Sequence, residues 1–312
     1  MVLHRVLLVL AILLAAIRPA SAEKLTVLLD WFINPDHAPL FVALEKGYFR
    51  DAGLEVELIA PADPNDPPKL VAARQADIAV SYQPQLHLQV AAGLPLARIG
   101  TMVATPLVTV VALADGPVKT MADLKGRKIG YSVAGSEEAL LKAMLAKNGL
   151  KLTDVTLVNV NFALVQALLS EQVAAVIGAY RNFELNQLEI EKRPGRAFYP
   201  EEEGVPAFDE LIFVARNDRL SDPNFRKFLD AVERGTLFLI NHPEESWGLF
   251  IKNHKELDDE LNRRAWRDTL PRFAHSPAAL DAQRYERFAR FLNAAGLIPS
   301  VPALSSYAVE LK

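Results

Sequence analysis

Two α/β lobes joined by two chain crossings, with a ligand cleft between them, form the architecture that the sequence predicts. Three observations predict it. Short apolar runs alternate with helix-period segments from Leu25 onward, the pattern of βα units and a largely parallel sheet. The alternation breaks at Ala114, Asp115, Gly116 and Pro117 and then restarts. After Ser221 the chain reads as helical and supplies too few strands for a third sheet.

The elements follow in order. L-T-V-L-L from Leu25 is a strand, Ala38 to Asp51 has a helical apolar pattern closing at Gly53, and Glu55 to Ile59 alternates as a strand. P-A-D-P-N-D-P-P is a loop whose last prolines suit the first turn of a helix reaching Gln75. Asp77 to Val80 is a buried strand and Pro84 to Ala92 a helix, and the runs Leu96 to Ala104 and Leu107 to Ala114 are expected to complete this sheet. The second lobe then reads as a strand at Lys128 to Ser132, a helix from Glu137 to Lys147, strands at Val155 to Val160 and Val173 to Ile177, and a helix from Phe162 to Ser170 between them. The charged stretch from Glu189 to Glu203 reads as exposed surface. Leu211 to Ala215 is the strand of the return crossing, and Asp222 to Ile240 and Ala278 to Ala295 are the longest helices of the tail. The expected division is therefore lobe 1 over residues 23–114 and 212–312, and lobe 2 over residues 115–211.

The N-terminus carries an export pattern. His4 and Arg5 precede an apolar run from Val6 to Ile17, and Pro19, Ala20, Ser21 and Ala22 present small residues at the cleavage position, so residues 1–22 read as a signal peptide cleaved after Ala22. Twelve apolar residues are short for a span that needs about 20, and no cysteine stands at the cleavage point for lipid attachment. A periplasmic protein is expected. About 290 residues would remain, enough for two lobes. Of the 34 Lys and Arg against 38 Asp and Glu, Arg5 and Arg18 leave with the leader, so 32 face 38 and the net charge is −6. That balance excludes a phosphate-tracking nucleic-acid binder. The absence of cysteine excludes disulfides, thiolate metal sites and a cysteine nucleophile.

Catalytic signatures are missing. There is no G-x-S-x-G, H-E-x-x-H, phosphate-loop or G-x-G-x-x-G pattern, and the six histidines are scattered without metal-ligand spacing. No cofactor is implied. Glu137 and Glu138, like Asp258 and Asp259, read as solvated helix faces, Lys125 to Lys128 as a charged turn, and Gly135 and Ser136 as a helix start. Three segments at the carboxyl ends of strands, where ligands bind in open α/β sheets, carry more chemistry. D-W-F-I-N-P-D-H-A combines Trp31 with Asn34 and His37. G-A-Y-R-N-F-E offers Tyr180 as an aromatic face and Glu184 as an acceptor in the opposite lobe. Ser81 and Tyr82 follow the Asp77 strand.

These motifs, with V-A-L-E-K-G-Y-F-R-D-A-G-L-E-V, the S-Y-Q-P segment and D-L-K-G-R-K-I-G, resemble the substrate-binding components of ABC importers in the NMT1/THI5-like group over roughly Leu25 to Arg219. The resemblance implies a type II periplasmic-binding fold that closes on its ligand about a hinge. It also implies a monomeric, non-enzymatic receptor that hands a small molecule to an inner-membrane permease and its ATPase. The ligand implied is a thiamine-pyrimidine precursor of the formylaminopyrimidine or hydroxymethylpyrimidine type, with Trp31 and Tyr180 stacking and Asn34, Glu184 and His37 bonding. Relatives that take riboflavin, nitrate or sulfonates leave a second reading, for which Arg181 would supply the cation. A branch of synthases builds the pyrimidine from its own histidine and a lysine-held pyridoxal phosphate. Its Lys and His positions align with Ser81 and Gln85 here, and its cysteine-rich motif is absent.

Overall fold

The computed structural model describes residues 22–312, so the leader, save its last residue, lies outside the described residues. Two five-stranded sheets form the frame. Strands β1 (Glu23–Leu28), β2 (Leu54–Ile59), β3 (Ile78–Ser81) and β4 (Leu96–Val103) build the first, and β5 (Val108–Leu113), β6 (Lys128–Tyr131), β7 (Thr156–Asn159), β8 (Ala175–Tyr180) and β9 (Gly195–Phe198) the second. Strand β10 (Leu211–Arg216) returns to the first. The orders are β2-β1-β3-β10-β4 and β7-β6-β8-β5-β9. In each sheet three strands run parallel, and the fourth runs antiparallel to both neighbours.

The antiparallel strand of each sheet is the one that arrives from the other lobe. That moves the first crossing. The sequence placed Val108–Leu113 in lobe 1, whereas it pairs with β8 and β9, so the chain crosses at residues 104–107 and not at Asp115. The second crossing runs over residues 199–210. Part of the stretch read as exposed surface, Glu189 to Glu203, is also corrected: Gly195–Phe198 is an edge strand paired with β5.

Local chemistry explains the remaining differences. The predicted helix from Ala38 to Asp51 is two helices, Ala38–Glu45 and Tyr48–Asp51, separated at Gly47, whose φ of 74° interrupts the helical backbone. The tail docks as predicted against the first lobe through the 19-residue helix Pro223–Asn241, whose Phe225, Phe228 and Leu229 enter the core. The helix Ala282–Ala294 bridges the lobes, packing Tyr285 against the first as expected and sending Phe288 and Leu292 into the core of the second. Edge strand β4 is covered by the chain end: Arg98 N–H donates to Tyr307 O at 2.8 Å and Val309 N–H to Arg98 O at 3.1 Å, which removes an exposed edge. The Arg98 guanidinium, fully buried, clamps the carbonyls of Pro277, Ala278, Ala279 and Val309.

Candidate functional site

The loop after β1 is built around a short 3-10 turn at Pro35–His37. Asn34 caps it, its Oδ1 accepting from Asp36 N–H at 2.8 Å while its Nδ2 donates to Phe32 O at 3.0 Å. His37 Nδ1 accepts from Asn34 N–H at 3.3 Å, so Nε2 is the nitrogen that donates to Asp30 Oδ1 at 2.9 Å. Tyr82 OH donates to the other oxygen of Asp30 at 2.9 Å. The side chains of Asn34 and His37 thus spend their hydrogen bonds within the segment D-W-F-I-N-P-D-H, and Trp31 stands half-buried at the cleft, its ring edge-on to Phe162 of the other lobe at 4.5 Å.

In the second lobe, β8 carries a bulge. Thr109 pairs with Ala179 and Val110 with Ile177, so Gly178 is the extra residue, at φ 103°. Two residues on, Tyr180 N–H donates to Glu184 Oε2 at 2.7 Å, which locks the aromatic face and the carboxylate of G-A-Y-R-N-F-E together at the start of the helix Glu184–Ile190. Asn182 of the same loop is buried and reaches across the cleft to Asp36 Oδ1 at 2.6 Å and to Thr269 at 2.7 Å.

Two further carboxylates complete the site. Glu137, read from sequence as solvated, is 7% exposed, and its Oε2 accepts from Ser132 N–H at 2.8 Å. Its carboxylate lies where a side chain on Gly178 would stand. Glu210 sits in the second crossing and grips the first: its Oε2 accepts from the N–H groups of Leu107 and Val108 at 2.5 and 2.9 Å, and its own N–H donates to Val103 O. Tyr180 OH approaches its other oxygen at 3.4 Å.

These groups line a cavity between the lobes, and domain interfaces are where small-molecule sites commonly form. Of the residues expected at the ligand, Trp31, Asn34, Tyr82, Tyr180 and Glu184 line it. Two do not. His37 is fully buried behind Asp30, and Ser81 is buried with its hydroxyl donating to Gln85 Oε1 at 2.8 Å. Asp30, Asp36, Glu137, Gly178 and Glu210 also line it and were missed. A signal for Glu137 existed: it stands three, four and seven residues before Leu140, Leu141 and Met144, on the stripe the helix buries. Arg181 lies outside, bidentate on Glu201 at 2.6 and 3.0 Å and 4.4 Å from the Tyr199 ring.

The wall therefore holds five carboxyl groups and two phenols, and among the described residues no Lys, Arg or His. No three acids or histidines among the described residues converge to hold a metal ion. Burial dominates the electrostatics, raising the carboxyl pKa of Glu137 to about 8, of Glu184 and Glu210 to about 7, and of Asp36 to about 6. The hydrogen bonds from Ser132, Tyr180, Val108 and Thr269 oppose those shifts without cancelling them. Because these folded-state values lie above the ordinary 3.8 to 4.5, the native chain holds more protons than the unfolded chain across the interval between them. Stability is then full below the ordinary carboxylate range and is lost as pH rises through about 6 to 8. Calorimetric melting of the ligand-free protein is expected to show its midpoint falling from pH 5 to pH 8.

The lobes meet at the cleft mouth. On one side Phe32 packs 5.9 Å from Phe183. On the other, Asn65 of P-A-D-P-N-D-P-P donates through Nδ2 to Ser132 O at 3.1 Å and accepts from Ala134 N–H at 2.8 Å. Both bonds bridge the two lobes and would be lost if the lobes opened. Two neutral hydrogen bonds contribute about 1–2 kcal/mol, so Asn65→Ala is expected to weaken ligand about 5- to 30-fold and to leave the melting midpoint of the free protein unchanged. Titration together with small-angle scattering, which reads closure, checks it.

Comparison with known proteins bears on what occupies this cavity. The sequence profile of a family described as NMT1/THI5 like matches residues 34–246. A Haemophilus influenzae protein named for thiamine biosynthesis is 53% identical over 94% of this chain and 93% of its own. The formylaminopyrimidine-binding protein of Halalkalibacterium halodurans is 32% identical over 80% of this chain and 76% of its own. A 4-amino-5-hydroxymethyl-2-methylpyrimidine phosphate synthase of Legionella pneumophila is 25% identical over 83% of both chains. Among solved structures, the alkanesulfonate-binding protein SsuA of Xanthomonas axonopodis superposes with a TM-score of 0.72 at 18% identity, covering 94% of this chain and 99% of that one. A Candida albicans protein with the generic periplasmic binding protein fold does so at 0.72 and 20%, covering 93% and 97%.

Proposed function

The chain belongs to the NMT1/THI5-like family and has the two-lobed periplasmic-binding-protein fold, and from that premise we propose that it is the exported receptor of an ABC importer for an amino-bearing pyrimidine, a thiamine precursor. The observation that carries this reading is the acid-rich, cation-free wall of the cavity. An aminopyrimidine presents N–H donors at its edge and a flat ring to Trp31 and Tyr180. Stacking of aromatic faces adds about 0.5–1.5 kcal/mol per pair beyond area burial, and buried acceptors left without donors penalise any analogue that lacks them.

The same wall weighs against the other ligands of the fold. A sulfonate or nitrate brings negative charge to five carboxyl groups, and Arg181, the cation that reading would use, is committed to Glu201. A flavin ring brings one N–H donor among several acceptors, a poorer partner for the Glu184 acceptor than a ring amino group with two N–H donors. The synthase reading is weakened too, since Ser81 and Gln85, which stand where its lysine and histidine align, are hydrogen-bonded to each other.

Calorimetric titration of the purified protein with 4-amino-2-methylpyrimidines, riboflavin and an alkanesulfonate tests it. Micromolar or tighter binding of the pyrimidines alone is expected, and binding of the sulfonate without them would overturn it. Export is checked separately: the N-terminal residue in periplasmic extract should be Glu23.

A further inference from the structure

We propose that Arg284 is the pin of the hinge: from a tail helix that spans both lobes it ties the two chain crossings to each other, so that the lobes turn about a fixed axis and do not slide. Arg284 is not among the residues that line the cavity, and the inference does not depend on which solute the cavity takes.

The helix that carries it belongs to both lobes. Along Ala282–Ala294 the buried residues Tyr285, Phe288 and Leu292 stand three and four apart and form one stripe. Tyr285 packs in the core of the first lobe, and Phe288 and Leu292 pack in the core of the second. Phe288 also meets Phe208 of the second crossing edge-on at 5.3 Å. Past the helix end, Lys142 of the second lobe donates through Nζ to Ala295 O at 3.4 Å. Successive turns of one rod are therefore gripped by different lobes, which leaves the lobes free to rotate only about a line that passes close to the rod.

Arg284 marks that line. A single nitrogen, Nη1, donates to Ala104 O at 2.6 Å, at the start of the first crossing, and to Asp209 Oδ1 in the second. Asp209 is 4% exposed, and its other oxygen accepts from Thr101 Oγ1 at 2.8 Å and from Tyr285 OH at 3.1 Å. Its N–H donates to Gln83 Oε1 at 2.8 Å. The next residue, Glu210, holds the far end of the first crossing at Leu107 and Val108. The crossings are thus clasped twice, by Arg284 and by Glu210, and sliding one lobe along the other breaks both clasps. Rotation about the crossings moves these atoms least, so the bonds of Arg284 persist while the cleft opens. Among the described residues Arg284 is also the one ion-pair partner of Asp209, and a buried carboxylate that loses its cation is costly.

The chain has no cysteine, so two nitroxide labels can be placed without background. Ala60→Cys and Ala163→Cys, both exposed, put one on each lobe, and pulsed electron resonance reads the distribution of distances between them in the ligand-free full chain. Arg284→Met keeps the apolar stem and removes the clasp. The distribution is expected to broaden to at least about twice the wild-type width, as hinge motion acquires a sliding component. Arg284→Lys should retain the wild-type width, since a lysine also gathers its donors on one nitrogen. Arg290→Met, on the same helix but exposed and paired with Glu286 at 3.6 Å, should leave the width unchanged. A destabilised but intact hinge would lower the melting midpoint without moving the width, so the readout separates pinning from mere support. Wild-type width in a folded Arg284→Met, or equal broadening in Arg290→Met, would overturn the inference. Where Arg284→Met does not fold, Asp209→Asn, which keeps the shape and an acceptor oxygen, is expected to broaden the distribution in the same way, and wild-type width there would overturn it equally.

Discussion

Gly178→Ala is expected to weaken ligand binding by at least about 100-fold and to destabilise the protein by about 2–6 kcal/mol. The backbone at Gly178 has φ 103°, a region that L residues adopt only under strain of about 1–3 kcal/mol. The added methyl would also overlap the Glu137 carboxylate, which is packed against the bare α-carbon, and overpacking of this kind adds about 1–3 kcal/mol. Either the carboxylate leaves its bond with Ser132 N–H or the bulge flattens. Flattening shifts the register of β8 against β5 and turns Tyr180 and Glu184, which follow within six residues, away from the cavity. Both relaxations damage the site, so binding should fall by at least about 100-fold. Melting and titration of the variant read the two effects separately, and wild-type affinity would show that the carboxylate and the bulge do not act together.

Gly178 also shows why parts of this site were legible in the sequence and others were not. The segment G-A-Y-R-N-F-E stood out because an aromatic and an acid four residues apart follow an apolar run, and the structure brings Tyr180 and Glu184 to one wall. The glycine in it carries no chemistry of its own, and its importance comes from Glu137, forty-one residues away in sequence. His37 misled for the opposite reason. Imidazole in a loop suggests a ligand group, but its two nitrogens are consumed within nine residues of loop, and it serves by holding Asp30. Glu210 was invisible because an acid at the start of an apolar strand usually faces water. Here it closes over the N–H groups that the first crossing leaves unpaired, which is a tertiary fact with no local pattern.

The strand β5 follows the same logic at the level of fold. An apolar run records that Val108–Leu113 is buried, not which sheet buries it, and the four residues before it resemble a hairpin turn as much as an interlobe crossing. Periodicity therefore recovered nearly every element and the two-lobed plan while misplacing the first crossing. The misplacement matters for function, because the corrected crossing carries the two N–H groups that Glu210 grips. A carboxylate in the ligand cavity is thereby part of the connection about which the lobes would turn.

Glu184→Gln is expected to weaken an aminopyrimidine by about 1.5–3 kcal/mol, the range for hydrogen bonds to a charged group, and its des-amino analogue by much less. The substitution keeps the shape and keeps an acceptor for Tyr180 N–H, so the turn at Tyr180–Glu184 should persist. What changes is the free end, where a carboxylate oxygen is replaced by an amide that can present a donor to the ring amino group. Trp31→Ala removes a face instead of an edge. It should weaken both rings alike, and it should weaken closure as well, since the indole also packs edge-on against Phe162 of the other lobe at 4.5 Å. Proton linkage adds a second reading. Burial places the Glu184 carboxyl near pH 7, so its charged fraction grows from pH 6 to pH 8, and the share of affinity that depends on that charge grows with it. In Glu184→Gln that share is gone, and the difference between wild type and variant should widen as pH rises. Titration of both variants with the two rings at pH 6, 7 and 8 separates edge, face and charge. If Glu184→Gln binds both rings as the wild type does at every pH, the residue only caps Tyr180, and the aminopyrimidine assignment loses its principal chemical support.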